Sequence, residues 1–231
     1  MSIKIYGHPW SVNARKVLLT LAEKDGEGEL VLVMLPLGEH KQPAHLARHP
    51  WGKVPVLEHD GFLVYESRAI NRYLDDALDG PRLAPTSPRE RALAEQWMNV
   101  SDLYFSPHAG ALLVESLFRD YLGGERNEAA IEAGRAGIQQ PLDLLDRHLA
   151  ASPFIAGEAF SLADIHWMPY LEYLVRLEPA EVERRPNLAR WWASVSARPT
   201  WTKVGRMGPQ PYDQAVRAAV LEQLRAARAA A

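Results

Sequence analysis

Residues 3–23, IKIYGHPWSVNARKVLLTLAE, change hydrophobic period halfway along. Ile3 and Ile5 flank Lys4 with the alternation of a strand, and the run stops at Gly7-His8-Pro9. From Ser11 to Glu23 the spacing is helical, and Val12, Val17, Leu18, Leu21 and Ala22 share a face. A strand feeding a helix through a Gly-Pro turn opens an α/β unit. Further along, Glu29–Leu35 (ELVLVML) is β-branched and apolar, which predicts a buried strand. Val54–Leu57 and Phe62–Val64 read as two short strands joined by the polar turn Glu58-His59-Asp60-Gly61. Ser67–Ala77 returns to helix, with Ile70, Tyr73 and Leu74 on one side. The order is β-α-β, a loop, then β-β-α.

Residues 79–88, DGPRLAPTSP, hold three prolines and a glycine and read as a linker. Beyond it the periodicity is helical throughout. The expected helices are Arg89–Val114, Glu128–Ala150, Leu162–Leu177 and Asn187–Ser196, with an alanine-rich stretch Tyr212–Ala230 at the end. The fold class is therefore α/β plus all-α: a first domain over residues 1–78, the linker 79–88 and a helical domain over 89–231. In the last stretch Val216, Val220, Leu221 and Leu224 fit one face of a short helix, and fraying is the expectation for so alanine-rich a terminus.

Composition narrows the chemistry. A chain of 231 residues with 47% apolar and 24% charged residues is ordinary for a globular protein. It holds no cysteine, which removes disulfides, zinc-cysteine clusters, thiol nucleophiles and CxxC redox motifs together. With 26 Lys and Arg against 29 Asp and Glu the net charge is −3, lacking the basic excess of a nucleic-acid binder. The longest apolar run stops at Pro36, far short of the ~18 residues of a membrane span. No basic, apolar leader opens the chain, so a cytoplasmic protein is expected. The eight histidines show no HExxH or other ligand spacing, and no metal is expected. Neither GxGxxG nor a Walker loop occurs, which disfavours nucleotide cofactors.

Three short motifs each admit two readings. Ser11, between a strand and a helix, is a helix cap or a hydroxyl that stabilises an anion beside free helix amides. Pro55 marks an edge strand, or a cis peptide that leaves the Val54 backbone open to an extended ligand. Glu66-Ser67 is an ordinary helix start, or a grip for a zwitterion whose ammonium meets the carboxylate. A fourth motif, Ser161-Leu-Ala-Asp164, is assigned to folding as a capping box.

Together these motifs resemble the cytosolic glutathione transferases over nearly the whole chain. The stretches GHPWSVNARKVLLTLAEK, GEHKQPAHLARHPWGKVPVLEHDGFLVYESRAINRYL and PFIAGEAFSLADIHWMPYL each resemble family signatures, and the GHPxS opening, GEHK and ESRAI are most similar to the phi class. The resemblance implies a thioredoxin-like first domain and a glutathione co-substrate. Ser11 matches the catalytic serine, Val54 and Pro55 the element pairing with the cysteinyl backbone, and Glu66 and Ser67 the γ-glutamyl grip. His40, Lys41 and Lys53 fall where the family binds the glycyl carboxylate, Lys53 replacing a common glutamine. The electrophile site, by resemblance between the domains, is assigned to Trp10, Val12, Phe105, His108, Leu112 and Phe118. Trp51 matches an aromatic that plugs into a partner subunit, implying a homodimer. The implied activity joins the glutathione thiolate to hydrophobic electrophiles, with peroxide reduction as a further use. The alternative is a non-catalytic interaction protein on the same fold.

Overall fold

A computed structural model of the chain describes residues 2–205 and 214–229. By packing, the chain forms two compact units: one of residues 1–80, 120–124 and 203–231, the other of residues 81–119 and 125–202.

The first unit is built on a four-stranded sheet in the order β2-β1-β3-β4, where β1 is Ile3–Gly7, β2 Glu29–Leu32, β3 Val56–His59 and β4 Phe62–Tyr65. β1 runs parallel to β2 and antiparallel to β3, which pairs antiparallel with β4. Helix α1, Val12–Glu23, crosses between β1 and β2, and its end residue pair is tied down by Lys24, whose ammonium donates to the Asp75 carbonyl at 3.0 Å. The short helix α2 is Pro43–Leu46, and α3, Ser67–Ala77, packs against α1. Ile5, Val17, Val56, Leu57, Ile70 and Leu74 are solvent-inaccessible or nearly so, each contributing about 2 kcal/mol by burial. The β3–β4 hairpin closes on Asp60 (φ 48°) and Gly61 (φ 86°), the left-handed pair of a two-residue turn. The strand thus runs through His59, and the turn is shorter than the four residues expected from its polarity.

The second strand departs from expectation. It ends at Leu32, and its residues are exposed or half-buried because it forms a sheet edge. After Val33, whose N–H still donates to the Gly7 carbonyl (2.8 Å), the backbone turns back on itself. Leu37 and Gly38 donate to the carbonyls of Met34 and Leu35, with Gly38 at φ 76°. Pro36, which carries no N–H, lies inside this 3₁₀ turn, Leu35–Leu37. Apolar composition alone does not distinguish an edge strand from a buried one.

In the second unit the expected helix Arg89–Val114 is longer. It begins at α4, Pro88–Val100, capped by Ser87 on the Glu90 N–H. It continues through a π-turn Ser101–Phe105, α5 Ser106–Leu113, a second π-turn Val114–Phe118 and α6 Arg119–Leu122. Pro107 cannot donate to the Leu103 carbonyl and its ring crowds it, so the helix widens at the first π-turn. The expected Glu128–Ala150 segment is two helices, α7 Glu128–Gly137 and α8 Gln139–Leu149, divided at Ile138. Helix α9, Leu162–Leu177, has the expected bounds, and α11, Pro186–Ser196, starts one residue early. Two short helices escaped the periodicity: α10, Pro179–Glu183, and α12, Pro199–Gly205. The capping box at α9 is present. Buried Asp164 accepts from the N–H of Ser161 (2.9 Å) and Ile155 (3.0 Å) and from the indole of Trp191 (2.8 Å), so it also ties three segments together.

The chain's last described element is α13, Gln214–Ala229. Leu224 on it is 3% exposed, so the terminus expected to fray is docked. Tyr212, Ala230 and the side chain of Val216 lie outside the described residues. Among the described residues no helix is long and apolar enough to cross a membrane.

Candidate active site

Sheet register gathers the motifs. Tyr6 of β1 pairs with Val56 of β3, which pairs with Tyr65 of β4, so all three lie in one row. The chain leaves this row on the same side in every case. Gly7 leads into His8–Ser11 and α1; Val54-Pro55 precede Val56; Glu66-Ser67 follow Tyr65. On the other side of β1, Tyr6 pairs with Val31, so the loop containing His40 and Lys41 follows from this end too. Segments separated by more than 50 residues thus open one edge of the first unit.

Ser11 caps α1: its Oγ accepts from the Ala14 N–H at 3.3 Å. The cap consumes a lone pair and leaves the hydroxyl proton available to donate. The two readings of this serine are therefore compatible. Any anion at this hydroxyl also meets the positive end of the α1 dipole.

The turn before it is braced by His8. His8 is 4% exposed, its Nδ1 accepts the Trp10 N–H (3.2 Å), and its carbonyl accepts from Ser11 N (2.9 Å). Burial pushes the imidazole down to about 4, so it remains neutral and Nδ1 stays an acceptor. Because the folded value lies below the ordinary 6.5, protonation favours the unfolded chain. Stability is expected to fall as pH drops from neutral through 6.5 toward 4, by roughly 3 kcal/mol in all. Urea midpoints taken across this range check it, and His8→Asn, which keeps an acceptor and cannot titrate, should flatten the dependence.

The Val54–Pro55 peptide is cis. Glu66 holds the left-handed φ of 71° although it is not glycine, and no side-chain bond caps α3 from this position. A backbone so placed costs of order 1–3 kcal/mol and is found where a ligand clamp needs it. The glutamate is thus not an ordinary cap. Ser67 beside it is 8% exposed.

The loop after the 3₁₀ turn is cross-braced. Lys41 Nζ donates to the Trp51 carbonyl (3.0 Å), which leaves two of its three donors, and a ring nitrogen of buried His45 bonds the Lys53 carbonyl (2.7 Å). Gly52, at φ 56°, passes so near the loop that a Cβ would meet the His40 carbonyl oxygen at 2.5 Å, and only glycine fits. Burial, then the Lys41 charge, lowers the His40 imidazole. His49 lies buried under Trp51 and Tyr65, with ring centroids at 6.1 and 4.7 Å. Burial lowers it too, opposed by the Glu66 carboxylate. Trp51 itself is 62% exposed.

The electrophile-site candidates scatter. Trp10 is buried between His8 (4.9 Å) and Tyr121 (4.7 Å), while Val12 is half-buried. Phe105 stacks on Trp167 at 4.8 Å in the helical core, and Leu112 is 1% exposed. Phe118, half-buried, meets Tyr173 edge-on. His108 lies instead over Gly137, in a groove of about 480 Å³ lined by Leu103, Tyr104, Gln140 and Leu144. Sequence reasoning missed His8, His45, His49 and Tyr121. The GHP turn signalled the first; the others act through contacts that no local pattern announces.

A sheet of this order, with a hydroxyl at a helix start and a strained glutamate at the same edge, defines a thioredoxin-like unit with one edge open to a ligand. Residues 1–76 match the family described as glutathione S-transferase, N-terminal domain, and residues 98–199 the C-terminal domain. Glutathione S-transferase F11 of Arabidopsis thaliana is 37% identical over 209 residues, 88% of this chain and 97% of that protein. The crystal structure of glutathione transferase F7 from Populus trichocarpa is 33% identical with a TM-score of 0.82, covering 87% of this chain and 97% of that one. Glutathione S-transferase I from mais, in complex with an atrazine glutathione conjugate, is 26% identical with a TM-score of 0.80, covering 89% and 97%.

The chain belongs to the glutathione S-transferase family, alongside its phi class. It is an enzyme that conjugates glutathione, its co-substrate, to electrophiles. Among the described residues no group of three or more His, Asp or Glu could hold a metal ion.

Proposed function

We propose that Ser11 activates glutathione by donating a hydrogen bond from its hydroxyl to the sulfur, which stabilises the thiolate so that it persists at neutral pH. A free thiol titrates near 8.5 and only its anion attacks. The observation that carries this is the Ser11 cap, whose oxygen accepts from the helix while its proton remains to give. In the same reading Val54 pairs with the cysteinyl backbone ahead of Pro55, and Glu66 with Ser67 holds the γ-glutamyl zwitterion. His40, Lys41 and Lys53 meet the glycyl carboxylate. Val12 and Trp10, the neighbours of Ser11 in sequence, flank the sulfur on the electrophile side. Peroxide reduction would draw on the same thiolate. The setting is the cytoplasm, where glutathione is kept reduced.

Glu66→Gln tests the grip, since it keeps the shape and removes the charge. The KM for glutathione is expected to rise about tenfold with kcat within a factor of two, the loss of one charge-assisted bond. An unchanged KM would dismiss the γ-glutamyl assignment.

We further infer a homodimer in which Trp51 is the wedge. Trp51 is 62% exposed, and a second copy would cover it. The helical unit offers a matching receptor: the groove of Leu103, Tyr104, His108, Gln140 and Leu144, whose Leu103 and Tyr104 are themselves exposed. A twofold axis makes each copy give one wedge and receive one.

A further inference from the structure

We propose that α13 is a strap that sets the glutathione-gripping loop, with Leu224 as its anchor and a positioning residue for glutathione binding. This rests on the reading of His40 and Lys41 as the grip on the glycyl end. Helix α13 lies beyond residue 199, where the family's C-terminal region ends, so no role comes to it from the family match.

The first observation is where the helix belongs. The chain leaves the helical unit at residue 202, and the described residues from 203 on pack as part of the first unit. There α13 lies against the 3₁₀ turn Leu35–Leu37. Its described side chains differ in burial: Leu224 is buried and Val220 and Leu221 are half-buried, whereas Glu222, Gln223, Arg225 and Ala226 are exposed. Apolar burial in an otherwise alanine-rich helix is the mark of tertiary docking, because so short a helix gains most of its stability from packing.

The second observation is what the turn is attached to. Met34 N–H donates to the Glu39 carboxylate at 2.7 Å, and Glu39 N–H returns to the Met34 carbonyl at 3.3 Å. Lys41 N–H donates to the Gly38 carbonyl at 2.8 Å, and its ammonium to Trp51 at 3.0 Å. The turn and residues 38–41 are therefore one hydrogen-bonded piece, and a load on Leu35–Leu37 is carried to His40 and Lys41. Leu35 also packs with Val54 against the cluster of Tyr6, Val33 and Val56. The helix thus bears on both ends of the grip, the carboxylate donors and the cysteinyl-pairing residue, without reaching the sulfur. Its loss should weaken glutathione binding and spare the chemical step.

Initial rates of the full-length enzyme, with glutathione varied at saturating aryl halide, test this. Leu224→Asp is expected to raise the KM for glutathione about fivefold with kcat within twofold, and Leu224→Met to match the wild type. Leu224→Ala keeps helix propensity and removes only packing atoms, so it gives a rise of about twofold and stands in should the aspartate variant fail to fold. His40→Ala is the reference for the grip. If His40→Ala raises this KM while Leu224→Asp and Leu224→Ala leave it unchanged, the strap is overturned. It is equally overturned if the Leu224 variants lower kcat and leave the KM for glutathione alone. If His40→Ala has no effect and the Leu224 variants still raise KM, the glycyl assignment of His40 fails and the strap stands through Val54.

Discussion

Ser11→Ala is expected to lower kcat/KM for an aryl halide by about a hundredfold near neutral pH, as removal of a donor from a developing or resting anion does elsewhere. The pH dependence separates this from a folding effect. With the hydroxyl gone the glutathione thiol should titrate near its free value of ~8.5, so the variant recovers activity as pH rises toward 9. The wild-type enzyme, already ionised, should stay level over that range. Alanine also removes the α1 cap, at a cost of about 1 kcal/mol, whereas glycine in this position costs only a few tenths. Ser11→Gly should therefore lose as much activity as Ser11→Ala with little change in thermal midpoint. Turnover retained in both variants would show that another group activates the sulfur.

Trp51→Ala should have a comparably large effect on assembly. A buried tryptophan at the centre of an interface is worth about 2–4 kcal/mol on truncation. Two symmetry-related wedges in one dimer make the upper end the expectation, a rise in the dissociation constant of about a thousandfold. Sedimentation at low micromolar concentration should show wild-type dimers and variant monomers. Inside one chain the Trp51 ring meets those of His49 and Tyr65 and stays mostly in solvent, so the variant's fold should be intact. Unchanged sedimentation would remove Trp51 from the interface.

The sequence carried the local parts of this fold well. Strand, turn and helix follow one another within residues 3–23 through a change of period, and the Asp60-Gly61 hairpin and the α9 capping box are written in adjacent residues. What escaped depends on distant neighbours. Glu29–Leu35 is apolar enough for a buried strand, but sheet order makes it an edge and the 34–39 hydrogen bonds end it early. His108 shares a helical spacing with Phe105 and Leu112, and that spacing does not announce the room that Gly137 on α7 leaves for its ring. The residues proposed as the grip stand out in the sequence as motifs. The strain at Glu66 and the dual use of the Ser11 oxygen do not, because both are matters of backbone angle and lone-pair direction.

The first unit is closed by three separate stretches of chain, and this sets an order of events during synthesis. Residues 2–80 emerge first, but Tyr121, which covers Trp10, is made some forty residues later, and Leu224 about a hundred after that. Until Tyr121 emerges, the nascent sheet carries an uncovered tryptophan beside Ser11. An amino-terminal fragment cut at the linker would thus carry the motif residues of the first unit without Tyr121 and α13, which pack with it.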